Sequence, residues 1–180
     1  MKARLTGIGT ALGVALSLAL GLIMAGTAPA AAKSPLTMQA VIDKAEIEDL
    51  LTSYYAHFGG GVKDKVGEYF TADGEMILGP NSYKGIEAIK GAYAAVPADA
   101  PQRKSFALNI LIGNPLIKVD GDTATARLVF TEYVVDKEGD APRILIMGRE
   151  FDWLVKQDGK WLIKKRQIMG ANGTPAGWVD

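Results

Sequence analysis

The chain has 180 residues, with twenty basic and twenty acidic side chains, a single histidine and no cysteine. Lack of cysteine excludes disulfide stapling, thiolate catalysis and sulfur-ligated metals, and one histidine among scattered carboxylates sets a metal centre aside. The even charge balance argues against nucleic acid as a partner, because that role calls for a clustered basic surface.

The first thirty-two residues read as a targeting segment. Lys2 and Arg4 supply a positive start, Leu5 to Ala32 carry no charge, and Ile8 to Met24 are rich in Leu, Ala, Val and Ile. Ala28-Pro29-Ala30 and Ala30-Ala31-Ala32 each offer small side chains where a signal peptidase reads, so cleavage after Ala30 or Ala32 is expected. The alternative is an uncleaved anchor, since the apolar core approaches a minimal membrane span. Cleavage implies an exported protein, periplasmic or secreted, with no membrane partner afterwards. It leaves eighteen basic against twenty acidic residues and a chain of about 148, enough for one core without staples. A domain is expected over 33–170, with a tail over 171–180 that is loose or folded back on the domain.

After a leader from Lys33 to Leu36, Ile47, Leu50, Leu51, Tyr54, Tyr55 and Phe58 recur at spacings of three and four, which predicts an amphipathic helix. Thr37 or Asp43 can cap its start, and Gly59-Gly60-Gly61 ends it. A second helix is expected from Val62 to Phe70, with Val66, Tyr69 and Phe70 inward. Thr71 to Gly74 then turns the chain into a short strand over Glu75 to Leu78, which Gly79-Pro80-Asn81 breaks. Ile86, Ile89 and Tyr93 mark a third helix from Gly85 to Val96, ended by Pro97 to Pro101. Four long apolar runs follow: Ser105 to Val119, Thr123 to Val135, Arg143 to Lys156 and Trp161 to Met169. Their short turn-rich connections, Asp120-Gly121-Asp122 and Asp158-Gly159 among them, predict an antiparallel meander. The basic run Lys164-Lys165-Arg166 is split between faces by strand alternation.

This order and several local patterns resemble the SnoaL-like branch of the nuclear transport factor 2-like superfamily, over Ile47 to Gln167. The carriers are Ile47-Glu48-Asp49-Leu50-Leu51 with Tyr54, then Tyr69-Phe70-Thr71-Ala72-Asp73 and Tyr83-Lys84-Gly85. Asn114 to Asp122, Gly148, Asp152-Trp153-Leu154-Val155, Gly159, Trp161 and Arg166 continue the likeness. The resemblance implies an α+β fold, a cone-shaped barrel in which a curled antiparallel sheet and three N-terminal helices enclose a pocket for a small apolar, often polycyclic ligand. It implies metal-free, cofactor-free proton transfer in the catalytic members, and non-catalytic relatives too. Family enzymes commonly carry an aspartate where this chain has Gly59 and a histidine where it has Ile110. Both departures delete proton-carrying groups.

Tyr54 and His57 are the leading candidates for chemistry. Imidazole titrates near neutrality and would serve as a base if it entered the pocket, although a histidine at a helix C-terminus can equally just interact with the dipole. Tyr54 and Tyr55 can donate to a ligand oxygen or simply pack. Phe58, Asn109 and Arg166 complete the candidate substrate-binding set. Asn109 sits in an apolar run and needs a partner, and Arg166 is expected to pair with Asp73 or Asp152 more than to touch substrate. Glu150 and Asp152 share one strand face and Glu132 shares one with Phe130, and if these are concave a desolvated carboxyl becomes a replacement base. Two readings stay open: an isomerase, dehydratase or cyclase acting on a small oxygenated apolar substrate, or a binding or assembly module using the same cavity or the outer sheet. A homodimer through the outer face of the long strands is expected, because they are apolar on both sides.

Overall fold

The computed structural model of the protein describes residues 37–58 and 62–180. The signal segment, its cleavage at Ala30 or Ala32, and the glycine stop at 59–61 lie outside the described residues.

Helix α1 (Met38–Ala56) starts at Thr37, whose hydroxyl accepts from the Ala40 amide at 3.1 Å. That contact satisfies one of the orphan donors of a helix start. Asp43, the other candidate cap, instead lies buried on the same stripe as Ile47, Leu51 and Tyr54. A buried carboxylate is costly unless paired, and Asp43 Oδ1 accepts from Lys156 Nζ at 2.7 Å, Trp161 Nε1 at 3.1 Å and Gln39 Nε2 at 3.2 Å. The opening helix is thereby fastened to the sheet. Helix α2 (Val62–Tyr69) buries Val66 and Tyr69, and α3 (Ile86–Ala94) buries Ile89 and Ala92. A fourth, single-turn helix, α4 (Pro101–Lys104), was not expected from the sequence. Its Arg103 donates through Nη2 to the Tyr93 carbonyl at 3.0 Å and the Ala94 carbonyl at 3.4 Å, adding a side-chain donor to the carbonyls at the end of α3.

The strands are β1 (Phe70–Leu78), β2 (Asn81–Lys84), β3 (Ala107–Asp120), β4 (Thr123–Val135), β5 (Arg143–Gln157) and β6 (Lys160–Gly170). They form one curled, unclosed sheet in the order β2-β1-β6-β5-β4-β3. The meander from β3 to β6 matches the hairpin signals. Two features depart from the expected strand plan, the first of them from its all-antiparallel pairing. First, β1 begins five residues before the expected Glu75 and runs parallel to β6, with Met76 opposite Arg166. Second, Gly79, at φ +56°, does more than end the strand: the chain returns as β2 and pairs Leu78 with Asn81. Helical spacing through Phe70 and the polar run Thr71 to Gly74 hid the start of β1.

Strand β4 alternates without a break, and its even-numbered residues from Ala124 to Val134 are buried. In β3 the phase changes partway. Ile110 and Ile112 face inward opposite Glu132 and Phe130, a bulge follows between Gly113 and Leu116, and beyond it Ile117 and Val119 face inward. Asn114 sits in that bulge at φ +52°, a left-handed conformation that asparagine tolerates better than most residues. On the outer face, Trp178 from the tail packs edge-on against Phe151 at 4.8 Å and Trp153 at 5.1 Å. Farther along the same face, Leu111, Val129, Ile144 and Met147 are exposed. No helix among the described residues is long and apolar enough to cross a membrane.

Candidate functional site

Strand register lines up two rows of side chains on the inner face. Met76, Arg166, Asp152 and Ala126 make one row across β1, β6, β5 and β4, and Leu78, Ile168, Glu150 and Leu128 make the next. Between these rows, the last turns of α1 and the end of α3 lies a cavity of about 160 Å³. Helix α1 contributes Tyr54 and Tyr55, with Phe58 just beyond its end, and α3 contributes Ala92 and Tyr93, with Val96 just past it. The sheet supplies Met76, Leu78, Phe130, Glu132, Glu150, Arg166 and Ile168. Phe130 can lie flat against β5 only because its neighbour there is Gly148, where an added Cβ would come within 2.6 Å of the ring.

The polar end of the cavity is a buried cluster around Arg166. Its Nε donates to Asp152 Oδ1 at 2.8 Å and its Nη2 to Asp152 Oδ2 at 3.3 Å, while Nη2 also lies 2.9 Å from Glu150 Oε1. Tyr55 donates its hydroxyl to Glu150 Oε2. The guanidinium stacks 4.2 Å above the Tyr54 ring, a cation–π contact that supports its charge away from water. One guanidinium balances only one carboxylate, and burial pushes the Glu150 carboxyl well above its ordinary range, against the pull of Arg166 and with the help of the Asp152 charge. Glu150 is therefore the member held in its neutral, proton-bearing form. Burial also raises both tyrosine hydroxyls, so Tyr54 and Tyr55 remain donors. Two atoms in the cluster have no hydrogen-bond partner among the described residues: Arg166 Nη1 and Glu150 Oε1, whose contact with Nη2 has the distance of an ion pair but not the angle of a hydrogen bond.

A second carboxyl, Glu132, enters the same cavity from β4. Burial raises it too, and Gln102 of α4 opposes the shift through a long hydrogen bond of 3.5 Å to Oε2. Among the described residues, no group of histidine and carboxylate side chains is placed to hold a metal ion.

A curled sheet closed by helices over a cavity with a buried Arg–carboxylate cluster is what a family comparison can test, and the model of the SnoaL-like domain matches residues 39–167. The chain belongs to the SnoaL-like family. Sequence relatives of this SnoaL-like protein include uncharacterized proteins of Mycobacterium tuberculosis and Mycobacterium bovis, each 26% identical over 144 residues that cover 74% of the chain and 89% of the relative. Solved structures with the same fold include a nuclear transport factor 2-like protein with a cystatin-like fold from Novosphingobium aromaticivorans. It is 20% identical, with a TM-score of 0.64, covering 79% of this chain and 96% of that one. A proposed scytalone dehydratase from the same organism is 22% identical, with a TM-score of 0.62 and coverages of 81% and 100%. ActVI-ORFA from Streptomyces coelicolor is 19% identical, with a TM-score of 0.62 and coverages of 70% and 95%.

The SnoaL-like cavity gathers Tyr54, Tyr55, Phe58 and Arg166 of the sequence-derived candidates, and it leaves two outside. His57, expected as Tyr54's partner, is the C-cap of α1 and faces α2. Its Nδ1 lies 2.7 Å from the Ser53 carbonyl and 2.9 Å from the Tyr69 hydroxyl, and Lys65 Nζ lies 3.2 Å from its Nε2. A lysine donating to Nε2 places the proton on Nδ1 by hydrogen-bond logic, so both nitrogens are engaged away from the cavity. Asn109 is corrected as well. It lies on the outer phase of β3 opposite Tyr133, is exposed, and borders a separate groove of about 290 Å³ beside α1 rather than the cavity. Exposure to water removes the need for a buried amide partner. Arg166 pairs with Asp152, while Asp73 takes Lys164 instead. Glu150 and Glu132 were raised by the sequence only as conditional bases. Their inward direction follows from strand phase, which Phe151 and Trp153 obscured by offering an equally apolar opposite face.

Proposed function

We propose that this SnoaL-like cavity binds a small apolar carbonyl compound and moves a proton beside the carbonyl, with Glu150 as acid and Glu132 as base. The observation that carries the reading is two carboxyls in one apolar cavity whose environments differ. Glu150 is fully buried beside Arg166 and Tyr55, whereas Glu132 keeps a little exposed surface and one long hydrogen bond from Gln102. Burial pushes both carboxyls up, and carboxyls in unlike surroundings suit an acid and a base in one site. In this reading Glu132 is the ionised member and Glu150 the protonated one. Glu132 then takes the proton from the carbon next to the carbonyl, while Glu150 gives its own proton to the carbonyl oxygen, leaving an enol. Returning a proton to carbon restores both carboxyls and completes an exchange, or an isomerisation if another carbon receives it.

Tyr55 orients Glu150 through its hydrogen bond, and the Arg166 guanidinium stabilises charge on the ligand oxygen. Tyr54 stays a candidate as the ring that supports Arg166. The SnoaL-like family and the shared fold of a proposed scytalone dehydratase are consistent with this reading. The test is solvent deuterium exchange at the α-carbon of one-, two- and four-ring ketones, followed by proton NMR. Exchange above buffer is expected, falling by roughly 100-fold in both Glu150→Gln and Glu132→Gln. Absence of exchange on every ketone, or rates unchanged in both variants, rejects proton transfer and leaves ligand binding as the role of the cavity.

A further inference from the structure

The groove that Asn109 borders adjoins the cavity. It lies between α1 and β3, the edge strand of the sheet, and is lined by Thr52 and Ala56 of the helix and by Leu108, Asn109, Ile110 and Ile112 of the strand. Tyr55 and Phe58 line groove and cavity alike. Strand register explains why the two spaces are neighbours. Phe130 and Glu132 of β4 line the cavity, and their partners across the ladder, Ile112 and Ile110, line the groove. Paired strands lie about 4.8 Å apart, so one inner sheet face runs under both spaces.

The shared wall consists of two rings held in different ways. Tyr55 belongs to α1 and donates its hydroxyl to Glu150, and displacing it would leave a buried carboxyl without that partner. Phe58 lies past the last residue of α1, and its ring is held by contacts of 6.0 Å with Tyr55, 6.0 Å with Tyr93 and 6.4 Å with Tyr54. Phe58 is therefore the member that turns aside at lower cost. At about 160 Å³ the cavity alone falls below the roughly 300 Å³ at which pockets for drug-sized ligands begin, and with the groove of about 290 Å³ the site enters that range. None of the residues lining the groove is charged, so a charged group placed there would lose hydration without gaining a counter-ion. Thr52 and Asn109 are exposed, which opens the groove to water.

We propose that the groove is a second subsite of the same ligand site, taking a neutral, apolar extension of a ketone whose carbonyl end occupies the cavity, with the ligand passing Phe58 between the two. The inference rests on the reading of the cavity as the ligand site, but it concerns binding and not turnover.

Isothermal titration of the protein with cyclohexanone and with 4-phenylcyclohexanone, which adds one apolar ring opposite the carbonyl, tests it. The extended ketone is expected to bind about tenfold tighter or more, the return on burying much of one ring. Thr52→Trp, which fills the groove from an exposed position on α1, is expected to bring the two affinities level, and Ala56→Phe, also exposed, does the same if the first variant is unstable. Level affinities in the parent protein overturn the proposal. So does a preference that survives both substitutions, because the added ring then lies elsewhere, and so does failure of both ketones to bind. Deuterium exchange on both ketones with level affinities refutes the subsite and leaves proton transfer standing, whereas a groove-dependent preference without exchange does the reverse.

Discussion

Asp152 does not line the cavity, yet its charge helps to keep the Glu150 proton in place. The substitution Asp152→Asn removes that charge and leaves Arg166 with Glu150 as its only buried counter-ion. The Glu150 carboxyl should then ionise at lower pH. An acid works only while protonated, so the high-pH limb of any rate profile should move to lower pH in this variant, with the low-pH limb set by Glu132 unchanged. Carbon-13 NMR titration of the Glu150 carboxyl checks the same shift without turnover, and a carboxyl that titrates as in the parent protein sinks the argument. At this scale the sequence was partly readable. Arg166 announced a carboxylate partner because a guanidinium in an apolar strand needs one, and Tyr54 announced burial through its place on a helical stripe. His57 was not readable, because its direction depends on the C-cap geometry of α1 and on Tyr69 and Lys65, which approach from another helix.

Between elements, the cavity depends on one missing side chain. Phe130 and Gly148 face each other across β4 and β5, and a Cβ at position 148 would stand 2.6 Å from the Phe130 ring and 2.7 Å from the Met169 carbonyl of β6. The ring can retreat only toward the cavity, and the carbonyl cannot retreat without disturbing the β5–β6 pairing. Gly148→Ala is therefore expected to cost about 1–3 kcal/mol, the usual range for overpacking, and to weaken ligand binding as well. Thermal unfolding and titration on the same sample test this, and unchanged stability would mean that the strands have more slack than the contacts indicate. Element order was legible because hydrophobic period changes from helical to alternating near residue 105, and because short turn-rich links join the long strands. The parallel β1–β6 contact was not, since it joins residues about ninety positions apart and leaves no local signal. The β3 bulge was not visible: Ser105 to Val119 reads as one unbroken apolar run, and only the cross-strand register shows that the side facing inward is reset within it.

Across the whole molecule, two buried carboxyls, one held by Lys156 and one beside Arg166, give stability a preferred pH range. Asp43 ties α1 to β5 and β6, and hydrogen bonds from Lys156, then Trp161 and Gln39, hold its carboxyl below the ordinary 3.8 despite partial desolvation. A group depressed on folding contributes stability above its unfolded value and loses it as pH falls through the folded one. Glu150 has the opposite sign. Its folded value stands well above the ordinary 4.5, so the unfolded chain releases this proton first and stability declines as pH rises from that ordinary value toward the folded one. Thermal unfolding from about pH 3 to about pH 9 should therefore trace a dome, with Asp43 contributing to the acid slope and Glu150 to the alkaline slope. Asp43→Asn should lower stability at neutral pH by about 1–3 kcal/mol through the lost charged hydrogen bonds, and it should flatten the acid slope. Glu150→Gln should flatten the alkaline slope and leave the acid one intact, because a neutral amide has no proton to release. Parallel curves for all three proteins would show that neither carboxyl governs the pH range in which the helices stay closed over the sheet.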